Sequence, residues 1–346
     1  MRSTMPRVFV WLVVAVAAAV GRAQQPCCCE VPCRLLDPLG QDPLWTARTD
    51  ALLLWRDAPQ AQPLFDFADP ADPVPLGVAL DAANFRSDMA AGPRFALFRH
   101  TGDMGAIEFN FLRVQTFNSA LSLPQRADTV YLDAGPRGLY CCDDTTPRDT
   151  VAGSMSSSLQ SAEVNRRFPT DGRLGWLMGF RWVEWNDALG LQSASLIGNP
   201  LEFTNSYLTQ TNNDLYGLQI GADSILYGLG RRFRVEGIGK TGIYYNDARQ
   251  MSSFTTTLLD GESLAVATDV GRAAFVGELG VTGVYDITQH IAFRAGYTIF
   301  WLGGLALAPE QYAANTLCPE NPIQGGTDTS GSVVVQGLSL GLEARW

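Results

Sequence analysis

Histidine is nearly missing from this chain: His100 and His290 are the only two among 346 residues. Both flank short turns, so neither reaches the rim where long loops could build a hydrolytic site. A buried or capping role suits them better than that of a general base. Charge is sparse too, at 17% of residues, with a net charge of −10. No basic stripe is present to neutralise phosphates, which argues against a nucleic-acid partner. No glycine-rich loop follows a strand and opens a helix; Gly228-Leu229-Gly230 reads as a tight hairpin turn. No His/Cys/Asp set carries metal-ligand spacing, and the adjacent Cys27, Cys28 and Cys29 are poor chelators, so neither cofactor nor metal is expected. After Val20 no long apolar run occurs. A helix needs about 20 apolar residues to cross a bilayer, so any membrane crossing must rest on strands.

The N-terminus reads as an export signal over residues 1–23. Arg2 and Arg7 precede the apolar run Val8–Val20, and Gly21 and Ala23 supply small residues before a cleavage site at Gln24. Residues 24–43, rich in Cys and Pro, read as a periplasmic tail. Export implies an oxidising compartment, where disulfides outlast thiols. Cys141 or Cys142 is placed to bond Cys318 across two long loops, and the sequence leaves the connectivity open.

From residue 44 to 346 the chain reads as one all-β domain. Ten stretches alternate apolar and polar residues, the period of a strand with unlike faces. Phe233, Val235, Ile243 and Tyr245 oppose Arg232, Arg234, Glu236 and Lys240. Phe275, Leu279, Val281 and Tyr285 oppose Arg272 and Glu278; Ile291, Phe293, Tyr297 and Trp301 oppose Arg294; Leu338, Leu340, Leu342 and Trp346 oppose Glu343 and Arg345. The N-terminal half is noisier, and residues 93–100 and 156–168 alternate least clearly. Short turns at Thr101–Gly105, Pro169–Arg173, Tyr227–Arg231 and Asp286–Gln289 take turns with long excursions near 58–92, 119–155, 188–211, 247–269 and 304–330. Two unlike rims, an even strand count and aromatics near strand ends (Trp45, Trp55, Trp176, Trp182, Trp185, Tyr227, Tyr285, Trp301) predict a closed antiparallel transmembrane β-barrel. It has short periplasmic turns and long extracellular loops. An open edge in lipid is untenable, so the first strand should pair with the tenth.

Several segments resemble the outer-membrane β-barrel porin family seven of planctomycete-type bacteria. They are Trp45–Trp55, Asn213–Asp223, Phe275–Tyr285, Tyr297–Trp301, Leu305–Glu310 and Leu338–Trp346. The resemblance implies an exported outer-membrane barrel, with outer-membrane lipid as its surroundings. It supplies no catalytic residue and no substrate.

Function then rests on the interior and the loops. The candidate lumen charges are Arg232, Arg234, Glu236, Lys240, Arg272, Glu278, Arg294, Glu343 and Arg345. Eight strands leave an interior just filled by side chains, whereas sixteen to eighteen leave a channel. Ten lies near the filled limit, so these charges either plug and stiffen the barrel or line a slim passive pore. The alternative role is structural or surface-interacting, with the long loops carrying an unidentified ligand. No enzymatic role is expected. Trp346 reads as the terminal aromatic recognised by the barrel-assembly machinery.

Overall fold

The computed structural model describes residues 43–102, 105–126, 128–134, 147–168, 174–195, 203–230, 232–257, 263–315, 317 and 325–346. The expected signal segment, the tail, the Cys141/Cys142–Cys318 bond and the turn Pro169–Arg173 lie outside the described residues.

The described residues form thirteen strands: β1 (Trp45–Arg56), β2 (Pro63–Asp69), β3 (Asp72–Asp81), β4 (Ala90–His100), β5 (Ala106–Leu123), β6 (Val130–Asp133), β7 (Thr150–Phe168), β8 (Leu174–Ser195), β9 (Phe203–Leu229), β10 (Phe233–Thr256), β11 (Ser263–Asp286), β12 (Ile291–Leu305) and β13 (Gly331–Arg345). Ten of them close a barrel in the order β1-β13-β12-β11-β10-β9-β8-β7-β5-β4. Every neighbouring pair is antiparallel. The seam joins β1 to β13 from Thr46↔Arg345 to Arg56↔Val335. Trp346 extends that seam: its N–H donates to the Trp45 carbonyl at 3.0 Å, and the Trp45 N–H donates back at 2.8 Å. Closure leaves no edge to be satisfied in lipid.

The outward faces carry the apolar side chains. On β10 they run from Phe233 to Tyr245 and then turn polar at Asp247 and Arg249. On β8, Trp176, Met178, Phe180 and Trp182 give way to Glu184 and Asn186. Ile243 and Leu218 are 76% and 72% exposed, which only a lipid surround makes favourable. At about 3.3 Å per residue and a tilt of about 40°, Phe233–Tyr245 covers roughly 30 Å of height, matching a hydrocarbon core.

Three expectations are corrected at the long-loop end. Much of the excursions at 119–155, 188–211 and 247–269 is strand: β8 runs to Ser195, β9 starts at Phe203, β10 reaches Thr256 and β11 starts at Ser263. There Ser, Thr, Asn and Gln occupy both faces, so the apolar period vanishes while the backbone ladder continues above the apolar band. The excursions at 58–92 and 119–155 supply a separate sheet of order β3-β2-β6. The excursion at 304–330 turns inward. Gly304, at φ 82°, sits at a bulge where Gly303 pairs with Ser332 but Leu305 pairs with Gly331. A Cβ at Gly304 would meet the Ala273 carbonyl oxygen at 2.8 Å, so glycine is required for this bend. The chain then enters helix α1 (Ala308–Ala314), which Pro309 helps to start and which packs against β8, β9 and β10.

Candidate functional site: the barrel interior

The lower interior is a charge-balanced network. Glu343 accepts from Arg48 at 2.6 Å, Arg294 at 2.9 Å, Arg234 at 3.1 Å and Arg345 at 2.5 Å. Asp286 pairs with Arg234 and Arg345, both at 3.0 Å. Glu236 pairs with Arg234 at 2.7 Å and Arg294 at 3.3 Å. One level higher, Glu278 meets Arg181 at 2.9 Å, and Glu163 meets Lys240, the chain's single lysine, at 2.8 Å. Asp50 binds Arg94 at 2.9 Å, while Arg167 bridges Glu108 and Asp223 at 2.8 and 2.7 Å. In all, eight basic and eight acidic side chains take part. Such a set presents no net field along the axis to select an ion by sign. The cavity among these groups holds about 70 Å³, room for a few waters.

Of the nine candidate charges, seven fall in this network. Two do not. Arg232 lies in the turn between β9 and β10 and is exposed, because the hairpin is reversing there. Arg272 shares the inward parity opposite Asn246 but is exposed and joins no ion pair among the described residues. The parity rule should also have brought forward Arg48, Asp50, Arg94, Glu108, Glu163, Arg167 and Arg181. They lie on the first five barrel strands, where glycine, serine and alanine blur the alternation.

Above the charges the interior becomes apolar, so this network of charges occupies only the lower part of the axis. Leu52, Ala90, Phe117, Leu159, Trp185, Leu215, Tyr244, Val276, Phe300 and Val335 belong to one buried cluster, and each comes from a different barrel strand. The layer therefore crosses the whole lumen. Trp185, expected at an interface, points inward instead and stacks on Phe117 at 6.2 Å. Arg181 lies 5.8 Å from the Phe300 ring at the lower boundary, and Arg56 lies 5.4 Å from Trp185 at the upper one.

A plug covers this layer. Asn213 holds the Ala306 backbone on both sides, donating to its carbonyl at 2.8 Å and accepting from its N–H at 2.7 Å. Asp187, fully buried, accepts from Arg56 at 2.7 Å, from Ser157 at 2.7 Å and from the Ala308 N–H at 3.1 Å. It supplies the cap that Leu307, at the helix N-cap, has no side-chain group to provide. Tyr312 meets Tyr207 edge-to-face at 4.9 Å within a second buried cluster that includes Leu64, Phe85 and Phe254. These anchors left no sequence signal: an Asn and an Asp on strands read as ordinary polar positions.

One plug residue is electrostatically uneasy. Both carboxyl oxygens of Glu310 are buried without a hydrogen-bond partner among the described residues. Burial, aided by Asp187, pushes its pKa up to about 7 from 4.5, against smaller pulls from its own backbone N–H and from Arg56. The docked plug thus binds more protons than the released one. Its stability is full below about pH 4.5 and is lost as pH rises through about 7. The expected result is larger protection factors across 308–315 at pH 5 than at pH 8, with rates taken relative to the intrinsic amide exchange rate at each pH, and with Glu310→Gln removing the difference. The effect is bounded at about 3 kcal/mol. Equal protection factors at the two pH values would contradict it.

The family described as Putative beta barrel porin-7 (BBP7) matches residues 45–346, the whole barrel. The chain belongs to that family. No curated protein matches it. Among solved structures this porin-family barrel is similar to the outer membrane protease OmpT of Escherichia coli, at 11% identity and TM-score 0.46. The match covers 87% of this chain and 96% of that one. It is also similar to Neisserial surface protein A (10%, TM-score 0.26, 88% and 99%) and to LpxR of Salmonella typhimurium (7%, TM-score 0.26, 87% and 100%). None of these likenesses carries an activity to this chain.

Proposed function

We propose that the protein is an outer-membrane barrel with a closed lumen, whose role is to hold its long-loop end at the cell exterior as a structural or surface-interacting platform. The observation that carries this reading is the apolar layer to which all ten barrel strands contribute. Water and ions do not cross such a layer, and the charges below it are paired with one another rather than open to solute. The long-loop end adds a polar β-wall, the β3-β2-β6 sheet and the plug, a surface built on a rigid scaffold. The reading includes no enzymatic role. It is supported by the places of the two histidines: His100 Nε2 lies 3.0 Å from Thr46 Oγ1, and His290 Nδ1 lies 3.1 Å from the Arg345 carbonyl, both at the short-turn end.

The alternative is the slim passive pore, favoured by membership of a porin family. Liposome swelling separates the two. Vesicles containing the folded barrel should take up small sugars no faster than empty ones; uptake rising with protein content would favour the pore. The same proposal takes Trp346 as the signal for the assembly machinery. Deleting it should lower the amount of barrel in the outer membrane sharply, beyond the loss of its two backbone hydrogen bonds to Trp45. An unchanged amount in fractionated membranes would remove that part.

A further inference from the structure

Above the apolar band one strand is left with an open side. β11 pairs with β10 from Phe233↔Tyr285 up to Thr255↔Ser263, but with β12 only from Phe275↔Gly303 downward. β12 goes no higher because the chain bends inward at Gly304 to form the plug. The segment Ser263–Arg272 is therefore an edge, about 33 Å long at the ordinary rise of a strand. Tyr245, where the apolar band of β10 ends, pairs with Ala273, and the polar Asp247 pairs with Gly271, so the edge stands above the band. Among the described residues no backbone group on its side away from β10 has a hydrogen-bond partner. Alternate residues of an antiparallel strand turn both N–H and C=O to one side, so this edge offers about five donors and five acceptors. Exposed edges are ordinarily blunted by proline, lysine or a bulge. The outer strand of the small sheet follows that rule: β3 carries Pro73 and Pro75, and its register against β2 is broken. Ser263–Arg272 contains no proline or lysine, and the β10–β11 register runs through it without a shift. Its two faces differ. Ala265, Ala267 and Asp269 are exposed, whereas Leu264, Val266 and Val270 are half-buried on the inner side. Arg272, on that inner side at the foot of the edge, is exposed and joins no ion pair among the described residues.

We propose that Ser263–Arg272 is a strand-addition site for an extended acidic segment of another protein, which continues the β11–β12 ladder upward. The segment runs antiparallel to β11, as β12 does, and its backbone takes the open donors and acceptors. Directly opposed residues share a face, so its inner face carries apolar side chains beside Val266 and Val270 and one carboxylate beside Arg272. A guanidinium without a carboxylate of its own is complemented by one from the partner through charge-assisted hydrogen bonds. A second copy of the chain does not fit as well. Copies upright in one membrane are related by rotation about its normal, so two β11 edges meet pointing the same way. They also cross by about 80°, twice the strand tilt, far from the roughly 25° between paired strands.

The inference rests on the platform reading proposed above, which puts this rim at the cell exterior. The probe is a synthetic peptide of alternating Val and Thr with one Glu on its Val face. The readout is amide exchange of the folded full chain in nanodiscs. With saturating peptide the wild type should gain protection across 263–272 and none across 275–286, which β12 already covers. Arg272→Glu should bind the peptide about tenfold more weakly, and a peptide with Lys in place of Glu should restore binding, because a cross-strand attraction becomes a repulsion and then an attraction again. The peptide methylated at every backbone nitrogen should protect nothing. Folding of the variant is checked by heat-modifiable migration. No added protection in the wild type overturns the proposal. So does equal protection by the methylated peptide, or binding to Arg272→Glu that ignores the charge of the peptide. Peptide-free protein whose edge amides become protected only on concentration assigns the edge to a second copy and overturns it as well. Sugar uptake in the swelling assay sinks the platform reading, whereas unprotected β11 amides in a barrel that admits no sugar sink this inference alone.

Discussion

Lys240→Met should destabilise the folded barrel by about 3–5 kcal/mol, the range for stripping one partner from a buried ion pair. Lys240 lies 2.8 Å from Glu163 and 4.0 Å from Glu278, and all three side chains are almost fully buried. Removing the ammonium leaves Glu163 with Arg181 at 3.5 Å and amide donors from Asn165 and Gln219, too little to offset its lost solvation. The cost falls on the unpaired carboxylate rather than on a missing contact. Adding Glu163→Gln to Lys240→Met should therefore restore much of the loss, a non-additive result typical of groups sharing one network. Arg249→Gln, at an exposed pair with Asp247 on the outer face, should leave the unfolding midpoint where it was. Urea titration of the barrel in micelles measures all three. A Lys240→Met barrel with the wild-type midpoint would show that the charges are solvated, and hence that water reaches them freely.

Asn213→Ala should release the plug. That side chain makes both hydrogen bonds to Ala306 and accepts a third from Asn246 at 3.0 Å. Truncation leaves buried backbone groups unpaired at about 1–3 kcal/mol each. Asp187→Ala should act similarly and more strongly, because it also strands the Arg56 guanidinium, which is 1% exposed. Limited proteolysis of the folded variants should cut within 306–315 while the wild type resists. The released barrels should still exclude small sugars, since wall residues such as Trp185, Phe117 and Phe300 still fill the lumen beneath. Cleavage without permeation separates the two closures; permeation on plug release would assign the barrier to the plug alone.

The strand count, the closure of β1 on β13 and the outward position of Phe293, Ile243 and Leu340 were legible because lipid imposes a strict period of two on residues such as Phe233 to Tyr245. The plug and the protruding wall were not. Above the membrane the outer faces of β8 to β10 meet water and the inner faces pack on the plug through polar as well as apolar residues, so positions such as Thr209, Asn212 and Ser252 carry no period and read as loop. Trp185 was misplaced because a tryptophan near a strand end suits either an interface or a packed lumen, and only the parity of Arg181, Val183 and Asp187 decides which. The seven charges on β10 to β13 were found by parity. Their partners Arg48, Asp50 and Glu163 come from strands distant in sequence, which barrel closure brings alongside.

The most direct test of a closed lumen is single-channel recording in planar bilayers, using wild-type barrel whose folding is verified by heat-modifiable migration. A lumen crossed by the Leu52–Phe117–Trp185–Phe300 layer gives no conductance steps at neutral pH. Regular steps of uniform size from the folded protein would contradict it.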